Sequence, residues 1–575
     1  MRSAPVLLPI LLLALLLVPF SSNAAAPPPE WGTGGMIATA HPLATEAGWE
    51  VLNDGGTAID AALAAIYTLD VVCGYSEGLG GGEFWVIRDG ETGEVVCIDG
   101  REVAPAAAHR DMYIGPDSLV VPGLSEIGIL AGGVPGSVAA REKALEMFGT
   151  MKRSRIMKRA IQHADEGYVI SPPEARVYEG ALPYFKVFPS TARVMLDEDS
   201  MTVGVGELHI QKDLARSLKK IADHGGDEFY QGSIADEIVR FMEENGGLIT
   251  ADDLANYHAT VREPIHGTYR GYDVYSMPPP SSGGIHLVQM LNILEGWNLP
   301  QFGVRSVNWY HHLAEAMDLA FADRAEFLGD PDFVNVPVEG LISKAYADSL
   351  RGRIINIYDR HPRGPGNPLQ YMDNPPDSLL KDGHTSHLSV VDQWGNMVAL
   401  TTTVNTHFGS KVILGDTGIF LNNEMDDFSA QPGVPNYFGL VGTEANSIRP
   451  GKRPLSSMTP TIIVKDGQPF MAVGAAGGPK IITGTLQTIL NVIDFGMDVQ
   501  DAVSEPRIHH QWSPDYLYVS EDISPDVVHL LRQQGHSAVH YTPGSVVQAV
   551  LLDPETGLYF GAADPRSVGT AMGVR

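Results

Sequence analysis

The segment from residue 382 to residue 405 constrains the fold of this chain more than any other. Residues 384–392 alternate polar and apolar side chains, and residues 397–405 form a second run that is rich in β-branched residues. Residues 392–396 between them (Asp-Gln-Trp-Gly-Asn) have the composition of a turn. A period of two on either side of a turn predicts a β-hairpin, with Thr385 at the head of its first strand.

Thr385 admits two interpretations. A threonine in a strand is usually an ordinary β-branched residue that favours extended backbone. If the bond between His384 and Thr385 is cut, however, Thr385 carries both a hydroxyl and a free α-amine, whose ordinary pKa is about 8. The amine can then accept the hydroxyl proton, so that nucleophile and base belong to one residue. Features elsewhere in the chain favour this second interpretation.

The composition excludes several classes of protein. The chain has 575 residues, is 44% hydrophobic and carries a formal net charge of −30. These values support a large buried core and argue against a nucleic-acid or anionic-membrane partner. Only Cys73 and Cys97 are present, which excludes a disulfide scaffold and a cysteine metal cluster. The sequence leaves open whether these two cysteines form one disulfide or stay as two buried free thiols.

The N-terminal residues have the pattern of a signal peptide. Arg2 precedes an apolar run from residue 6 to residue 20, which Pro9 and Pro19 interrupt, and residues 22–24 are small enough for cleavage. The run is shorter than the ~20 apolar residues that a membrane span requires. We therefore expect residues 1–24 to be removed, and the mature protein to be periplasmic or extracellular without a membrane span.

Two pairs of residues that contain histidine are candidate metal ligands. His311 and Glu315 lie one turn apart on a predicted helix from Asn308 to Leu328, but no third ligand accompanies them at metal spacing. We therefore expect a solvated helix face and no metal site, and residues 509–510 (His-His) are no more specific. Residues 352–383 are rich in proline, glycine and charge, and should form an exposed, mobile loop before Thr385.

Three further segments contain candidate site residues. The glycines at 80–82 precede a strand and indicate close backbone packing rather than a phosphate loop. Arg101, at the end of a predicted strand, is either a surface salt-bridge residue or a bidentate ligand for a carboxylate. Gly477 and Gly478 precede a predicted helix that opens at Lys480, so they form either a plain turn or an oxyanion site.

Three more segments lie among those described above. They are residues 278–284 (Pro-Pro-Pro-Ser-Ser-Gly-Gly), 422–427 (Asn-Asn-Glu-Met-Asp-Asp) and 454–458 (Pro-Leu-Ser-Ser-Met). Together they resemble the γ-glutamyltransferase (γ-glutamyltranspeptidase) family from about Gly34 to Arg566. The resemblance implies an α/β (α+β) fold, the four-layer αββα sandwich of the N-terminal nucleophile hydrolases, with no cofactor. It also implies self-cleavage into a large subunit, residues 25–384, and a small subunit, residues 385–575, which share one domain as a heterodimer.

The resemblance also implies a role for individual residues. Four would carry the chemistry: the nucleophile Thr385, its assistant Thr403, and the oxyanion-hole residues Gly477 and Gly478. Six would bind the amino acid end of a γ-glutamyl group: Arg101, Ser456 and Ser457 at the α-carboxylate, and Asn405, Glu424 and Asp427 at the α-ammonium. Such a head group needs a cationic fork and an acidic pair set apart to match its own charges.

The implied reaction cleaves the γ-glutamyl amide of glutathione and related compounds through a γ-glutamyl-Thr385 intermediate. The acyl group would pass to water or to an amino acid or dipeptide acceptor. One alternative on the same fold is an acylase for glutaryl or cephalosporin-type amides, whose substrates have no α-ammonium to occupy Glu424 and Asp427. A second alternative, of another class, is an exported, unprocessed binding or structural protein.

The chain departs from the family pattern at two positions that matter for the site. Glu83 stands where many members have a fourth glycine, and the sequence does not reveal its partner. Phe438 stands where some members carry a tyrosine that closes a gate over the site, and the neighbouring Tyr437 could replace it. Residues 427–442 resemble the lid loop of the family.

Overall fold

The computed structural model describes residues 26–354, 364–366, 384–440, 444–540 and 544–575. The predicted signal peptide and most of the predicted loop at 352–383 lie outside the described residues. The predicted cleavage point falls inside them, because His384 and Thr385 begin a strand.

Two large sheets and two small ones account for the described strands. In chain order these strands are β1 (Glu30–Gly32), β2 (Gly35–Thr39), β3 (Gly82–Arg88), β4 (Val95–Gly100), β5 (Tyr168–Val169), β6 (Leu208–His209), β7 (Thr260–Arg262), β8 (Ile265–Tyr269), β9 (Tyr272–Ser276), β10 (His384–Asp392), β11 (Met397–Asn405), β12 (Thr461–Lys465), β13 (Gln468–Ala476), β14 (Ile508–His510), β15 (Leu517–Val519), β16 (Ala538–His540), β17 (Val546–Leu552), β18 (Tyr559–Ala563) and β19 (Thr570–Val574). The first large sheet has the order β19-β2-β10-β11-β3-β4-β7, and the second has the order β1-β18-β17-β13-β12-β9-β8. The small sheets are β14-β15-β16 and β5-β6.

The described helices cover both large sheets and fill the region between residues 137 and 255. They are α1 (Pro42–Asn53), α2 (Ala58–Val72), α3 (Ser137–Phe148), α4 (Arg153–Ile156), α5 (Lys158–Glu166), α6 (Pro172–Phe185), α7 (Pro189–Met195), α8 (Lys212–His224), α9 (Asp227–Tyr230), α10 (Ser233–Asn245), α11 (Ala251–Ala255), α12 (Gly283–Leu294), α13 (Val307–Phe327), α14 (Val338–Ile342), α15 (Lys344–Arg351), α16 (Lys480–Ile493), α17 (Val499–Ser504) and α18 (Pro525–Gln533).

The layers follow from which faces of the sheets are apolar. The two sheets pack against each other through β10, β11, β13 and β17, while α1 and α2 cover the first sheet and α12 and α16 cover the second. Every residue of α2 is buried, because its run of alanines lets the helix approach the sheet closely. A capping box between Thr57 and Asp60 begins this helix. The predicted αββα sandwich is confirmed.

The predicted hairpin is confirmed and lies at the centre of the first sheet. β10 pairs antiparallel with β11 and, on its other side, with β2. The glycine run before β3 also has its predicted role. A Cβ atom added to Gly81 would lie 2.0 Å from the carbonyl oxygen of Thr403, so only glycine lets the two backbones meet here.

The prediction of a solvated helix face at His311 and Glu315 is wrong. Their side chains are 3% and 0% exposed, because α13 runs through the interior between α12 and α18. His536, which follows α18, lies beside them as a third potential ligand.

The sequence left open whether the two cysteines form one disulfide or stay as free thiols, and the structure has free thiols. Cys73 and Cys97 are both buried and free. Among the described residues, no helix combines the length and the apolar character that a membrane crossing demands.

Candidate active site

Thr385 lies where the hairpin is irregular. The register of β10 on β11 shifts between His384 and Ser386, so that Thr385 faces two residues of β11, Thr403 and Val404. A bulge of this kind re-aims side chains and often adjoins an active site. Thr385 is 6% exposed. The two threonines that were predicted to act together are therefore on opposed strands.

The backbone at Asn405 is held in an unfavourable conformation. Asn405 has a φ of 76°, in the left-handed region that residues other than glycine rarely adopt. Its N–H donates to Thr403 Oγ1 over 2.8 Å, and its Nδ2 donates to the carbonyl oxygen of Asn423 over 2.9 Å. Backbone strain of this kind often marks a binding or catalytic position.

His387 follows Thr385 by two residues on β10, but both of its ring nitrogens already make hydrogen bonds. Its Nδ1 lies 2.9 Å from Thr401 Oγ1 and its Nε2 lies 2.9 Å from Ser389 Oγ. Complete burial lowers the pKa of His387 to about 3, so the ring is neutral. With both nitrogens in hydrogen bonds, His387 supports the sheet and does not serve Thr385 as a base.

Arg101 is fully buried just beyond the end of β4 and contacts both predicted acidic residues. Its Nη1 donates to Glu424 Oε1, its Nη2 donates to Asp427 Oδ2, and its Nε donates to the Pro454 carbonyl over 3.2 Å. The expectation that the cationic fork and the acidic pair stand apart is therefore wrong in this structure, where they form ion pairs with each other. The interpretation of Arg101 as a surface residue is also excluded.

A third acid, Glu102, completes this cluster. Its Oε2 lies 3.7 Å from Arg101 Nη1. Burial raises the pKa of Glu102, Glu424 and Asp427, although Arg101 opposes the rise in each case. Burial would by itself lower the pKa of Arg101, but the carboxylates of Glu424, Asp427 and Glu102 outweigh it and raise that pKa. One cation therefore faces more buried acid than it can neutralise.

Several buried oxygens of this cluster have no hydrogen-bond partner within the described residues. They include Asn405 Oδ1, Glu424 Oε2 and Asp427 Oδ1. A buried acceptor without a donor costs roughly 1–3 kcal/mol, so native structures seldom keep one without a reason. These atoms belong to the three residues that were predicted to hold an α-ammonium, a group with three N–H donors.

Within the described residues, the hydroxyls of the two predicted serines hydrogen-bond to groups other than the Arg101 side chain. Ser456 Oγ accepts from the Met458 N–H over 3.1 Å, and Ser457 Oγ accepts from Arg324 Nη2 over 2.9 Å. Arg324 is a buried residue of α13 that the sequence reasoning missed. Residues 320–327 (Ala-Phe-Ala-Asp-Arg-Ala-Glu-Phe) contain two acids beside Arg324, so no local pattern marked this arginine as buried.

The predicted oxyanion residues follow β13 and precede α16. Gly477 and Gly478 have φ values of 121° and 65°, which favour glycine. A Cβ atom on Gly474, three residues earlier, would lie 2.4 Å from the His387 ring. The end of β13 therefore packs closely on β10 near Thr385, with two flexible N–H donors just beyond it.

Comparisons with known proteins test the family resemblance. The family model described as gamma-glutamyltranspeptidase matches residues 44–574. The glutathione hydrolase proenzyme of Escherichia coli is 43% identical over 570 residues, 96% of this chain and 95% of the relative. The chain belongs to the γ-glutamyltranspeptidase family.

The chain is also similar to proteins that are named as acylases. The acylase ACY 1 proenzyme of Pseudomonas sp. (strain V22) is 37% identical over 95% of this chain and 94% of its own length. The solved cephalosporin acylase of Bacillus halodurans superposes with a TM-score of 0.83 at 28% identity, covering 97% of this chain and 98% of that one.

The partner of Glu83, the first departure from the family pattern, is now identified. Glu83 Oε2 lies 3.0 Å from Arg141 Nη2, and its Oε1 accepts from Trp85 Nε1 over 2.8 Å. Arg141 also binds Asp70, with 3.0 Å between Nη2 and Oδ1. The carboxylate in place of a family glycine is therefore part of a buried ion cluster in which each carboxylate oxygen has a donor.

The second departure concerns the predicted lid loop, of which residues 427–440 are described. Tyr437 is 53% exposed and lines a cavity of about 410 Å³ with Thr406, His407 and Lys411. Phe438 is held at its backbone, where its N–H donates to Asn436 Oδ1 over 2.9 Å. Tyr437 rather than Phe438 therefore lines this cavity. Its wall also includes Thr406, the residue that follows Asn405 in the chain.

Proposed function

We propose that this chain is a self-processing γ-glutamyltransferase with glutathione hydrolase activity. It forms a γ-glutamyl ester on Thr385 and passes the acyl group to water or to an amino acid or dipeptide acceptor. The single observation that carries the proposal is the set of unsatisfied buried oxygens around Arg101, on Asn405, Glu424 and Asp427. Such a set suits an amino acid head group and has no evident structural use.

Substrate binding would exchange one set of ion pairs for another. The α-carboxylate of the substrate competes for the Arg101 fork, which binds carboxylates bidentately. Glu424 and Asp427, released from Arg101, then face the α-ammonium together with Asn405 Oδ1. The substrate brings one negative and one positive charge, so the net charge of the pocket is unchanged and each buried ion keeps a partner.

Self-cleavage would come first and need only the chain itself. Thr385 Oγ attacks the carbonyl carbon of His384, the C–N bond breaks, and the freed amine of Thr385 takes up the proton. Water then hydrolyses the resulting ester and restores the hydroxyl. The products are residues 25–384 and 385–575. The irregular pairing of β10 with β11 at this bond supports the assignment, because a bulge locally disrupts the ladder of hydrogen bonds around the residue that faces it.

Turnover would reuse the same hydroxyl. Thr385 Oγ attacks the γ-carbonyl, its proton passes to the α-amine of Thr385, and that amine protonates the departing amino group. Both ring nitrogens of His387 already make hydrogen bonds to other side chains, which supports the α-amine of Thr385 as the base. The N–H groups of Gly477 and Gly478 would stabilise the oxyanion, a contribution of roughly 3–4 kcal/mol for each donor.

The acylase alternative stays on the same fold. A glutaryl amide has a carboxylate for Arg101 but no ammonium, so the free oxygens of Asn405, Glu424 and Asp427 would remain unsatisfied. Comparing γ-glutamyl- and glutaryl-p-nitroanilide therefore tests the assignment. We expect a higher kcat/KM for the γ-glutamyl compound, and the reverse order would favour the acylase.

The decisive experiment is the variant Thr385→Ala. It removes the hydroxyl, so the purified protein should run as one uncut band and release no glutamate from glutathione. Thr385→Ser is the matched control, because it keeps the hydroxyl and the amine and should still give two bands. Two bands from Thr385→Ala would refute the assignment.

Export of the mature protein is proposed on the leader sequence alone. Its pattern supports removal of residues 1–24 and delivery to the periplasm or the medium. The intact mass of the protein isolated from its native cells reports signal removal and internal scission together. A cytosolic chain that retains Met1 would contradict the proposal.

A further inference from the structure

His311, Glu315 and His536 form a cluster of potential metal ligands that the active site does not use. One ligand atom from each residue lies within 4.8 Å of the other two. His311 Nδ1 is 2.8 Å from His536 Nε2, and the two rings are inclined by 71°. The nitrogen atoms therefore point at each other, with a carboxylate beside them.

The protein backbone holds these three side chains in place. His311 and Glu315 share one face of α13 because they are four residues apart. His536 is positioned by the turn after α18, where Gly535 has a φ of 91° and the His536 N–H donates to the Leu531 carbonyl over 3.1 Å. None of the three side chains is more than 3% exposed.

We propose that His311, Glu315 and His536 bind one Zn²⁺ or a similar transition-metal ion. Two imidazole nitrogens and one carboxylate oxygen are a ligand set that zinc accepts, whereas Ca²⁺ and Mg²⁺ prefer oxygen ligands. Ligands at ~2.0–2.2 Å from zinc lie about 3.4 Å apart in a tetrahedron, so the two nitrogens need to separate by only about half an ångström. Each neutral imidazole keeps its proton on the nitrogen that faces away from the ion.

The charge at this position also favours a cation. Glu315 is 0% exposed, and an ionised carboxylate at such depth is stabilised by any positive charge placed beside it. A divalent ion between the three ligand atoms supplies such a charge and replaces the contact between the two imidazoles. Water or a further protein atom would complete the coordination.

A neighbouring cluster illustrates why the first one is favoured. Asp318, His510 and Asp515 are also close together. The two ring nitrogens of His510 contact different protein groups. Nδ1 accepts from the Trp512 N–H over 3.1 Å, and Nε2 lies 3.0 Å from Asp515 Oδ1. This arrangement uses the imidazole as a bridge between protein groups, and we assign no ion to it.

The ion would have a structural consequence that rests on the proposed function. His311 and Glu315 belong to the predicted large subunit and His536 to the small one. After cleavage at Thr385 the ion would therefore join two separate polypeptides. Binding itself does not require cleavage, because no ligand residue takes part in the reaction.

The test is a metal titration of the full chain, prepared without a histidine tag and stripped with a chelator. Dialysis against Zn²⁺ followed by elemental analysis should give one ion per chain, and Co²⁺ should give the visible absorption of a tetrahedral site. Zinc should also raise the Tm by a few degrees. His536→Ala and the near-isosteric Glu315→Gln should lose the stoichiometric ion and the zinc-dependent rise in Tm.

Two controls distinguish binding at this site from binding elsewhere on the protein. His529→Ala removes an exposed histidine of α18 and should leave binding unchanged. Thr385→Ala should bind zinc as the wild type does, so a failure of the proposed function would not affect this result. Absence of stoichiometric binding to the wild type, or equal binding to folded Glu315→Gln and His536→Ala, would overturn the proposal.

Discussion

The molecule buries two clusters that are built from the same groups and differ in how completely they are satisfied. Around Arg141, both oxygens of Asp70 and both oxygens of Glu83 accept hydrogen bonds. Around Arg101, Glu424 and Asp427 each leave one oxygen without a hydrogen-bond partner in the described structure, and neither oxygen of Glu102 has one. Both arginines are completely buried.

This difference distinguishes a structural cluster from a binding site. Around Arg141 every oxygen of Asp70 and Glu83 has a donor, and Arg141 also lies 4.8 Å over the Tyr67 ring. The Arg101 cluster carries uncompensated acid and free acceptors, which are costly unless a ligand supplies the donors. Four changes test whether the contrast holds, beginning with the largest expected effect.

Removing Arg141 should destabilise the fold more than any other change considered. In Arg141→Met, Asp70 and Glu83 stay buried without their cation, and such a loss typically costs about 3–5 kcal/mol in the free energy of unfolding. Urea denaturation measures it. Replacing all three residues with apolar ones should restore much of the stability, while kcat/KM per folded molecule should stay near the wild-type value. A large fall in kcat/KM in the apolar triple variant would contradict a purely structural role.

Removing Arg101 should lower kcat/KM per folded molecule, unlike the removal of Arg141. In Arg101→Gln the substrate carboxylate loses its charged fork, worth about 3 kcal/mol, so kcat/KM for glutathione should fall roughly a hundredfold or more. Arg101→Lys, which keeps the charge but not the fork, should give an intermediate value. Wild-type kcat/KM in Arg101→Gln would exclude this residue from substrate binding.

Neutralising Asp427 should change the preference between substrates. Asp427→Asn keeps the shape of the side chain but removes the charge that faces an ammonium, which is worth about 1.5–3 kcal/mol. The kcat/KM for γ-glutamyl-p-nitroanilide should fall about tenfold or more, while that for the glutaryl compound, measured as the internal control, should not fall. An equal loss for both substrates would mean that Asp427 does not recognise the ammonium.

Glu102→Gln should have the smallest effect, and one that depends on pH. Burial raises the pKa of Glu102, and the neighbouring Glu424 raises it further. A carboxyl group with a raised pKa in the folded state contributes stability while it is protonated, and this contribution is lost as the pH rises through that pKa. Glutamine resembles the protonated acid and cannot lose its proton.

The Tm of the Glu102→Gln variant should therefore match that of the wild type at low pH and exceed it increasingly as the pH rises. Thermal unfolding across a pH series measures the difference. A Tm difference that stays constant with pH would show that Glu102 does not titrate as proposed.

Local patterns in the sequence were enough to predict the elements of the hairpin. The alternation in residues 384–392 and the turn after it each act over a few neighbours. The same reasoning failed at His311 and Glu315, where the helix was predicted correctly but its exposure was not. Whether a face is buried depends on what packs against it, and α18 lies far along the chain.

The candidate site was identified by family resemblance more than by the residues alone. Taken singly, Arg101 could have been a surface residue and Gly477-Gly478 a plain turn. The burial of Arg101, its direct contact with Glu424 and Asp427, and the second arginine at position 324 were not visible in any local pattern. Arg101 and Glu424 are 323 residues apart, and no periodicity connects such positions.

The sequence by itself was enough to predict features that depend on neighbouring residues, such as the strand that begins at His384 and the glycines that let two backbones meet. Its composition was enough to predict a large core. Only the tertiary structure shows which charged and polar residues, distant in sequence, become neighbours in space. It decided that Glu83 has a partner in Arg141, that acceptors near Arg101 have none within the described residues, and that His536 joins His311 and Glu315. The physical reason is that the energy of a buried charge is set by its neighbours in space, which the chain brings together only when the sheets and helices pack.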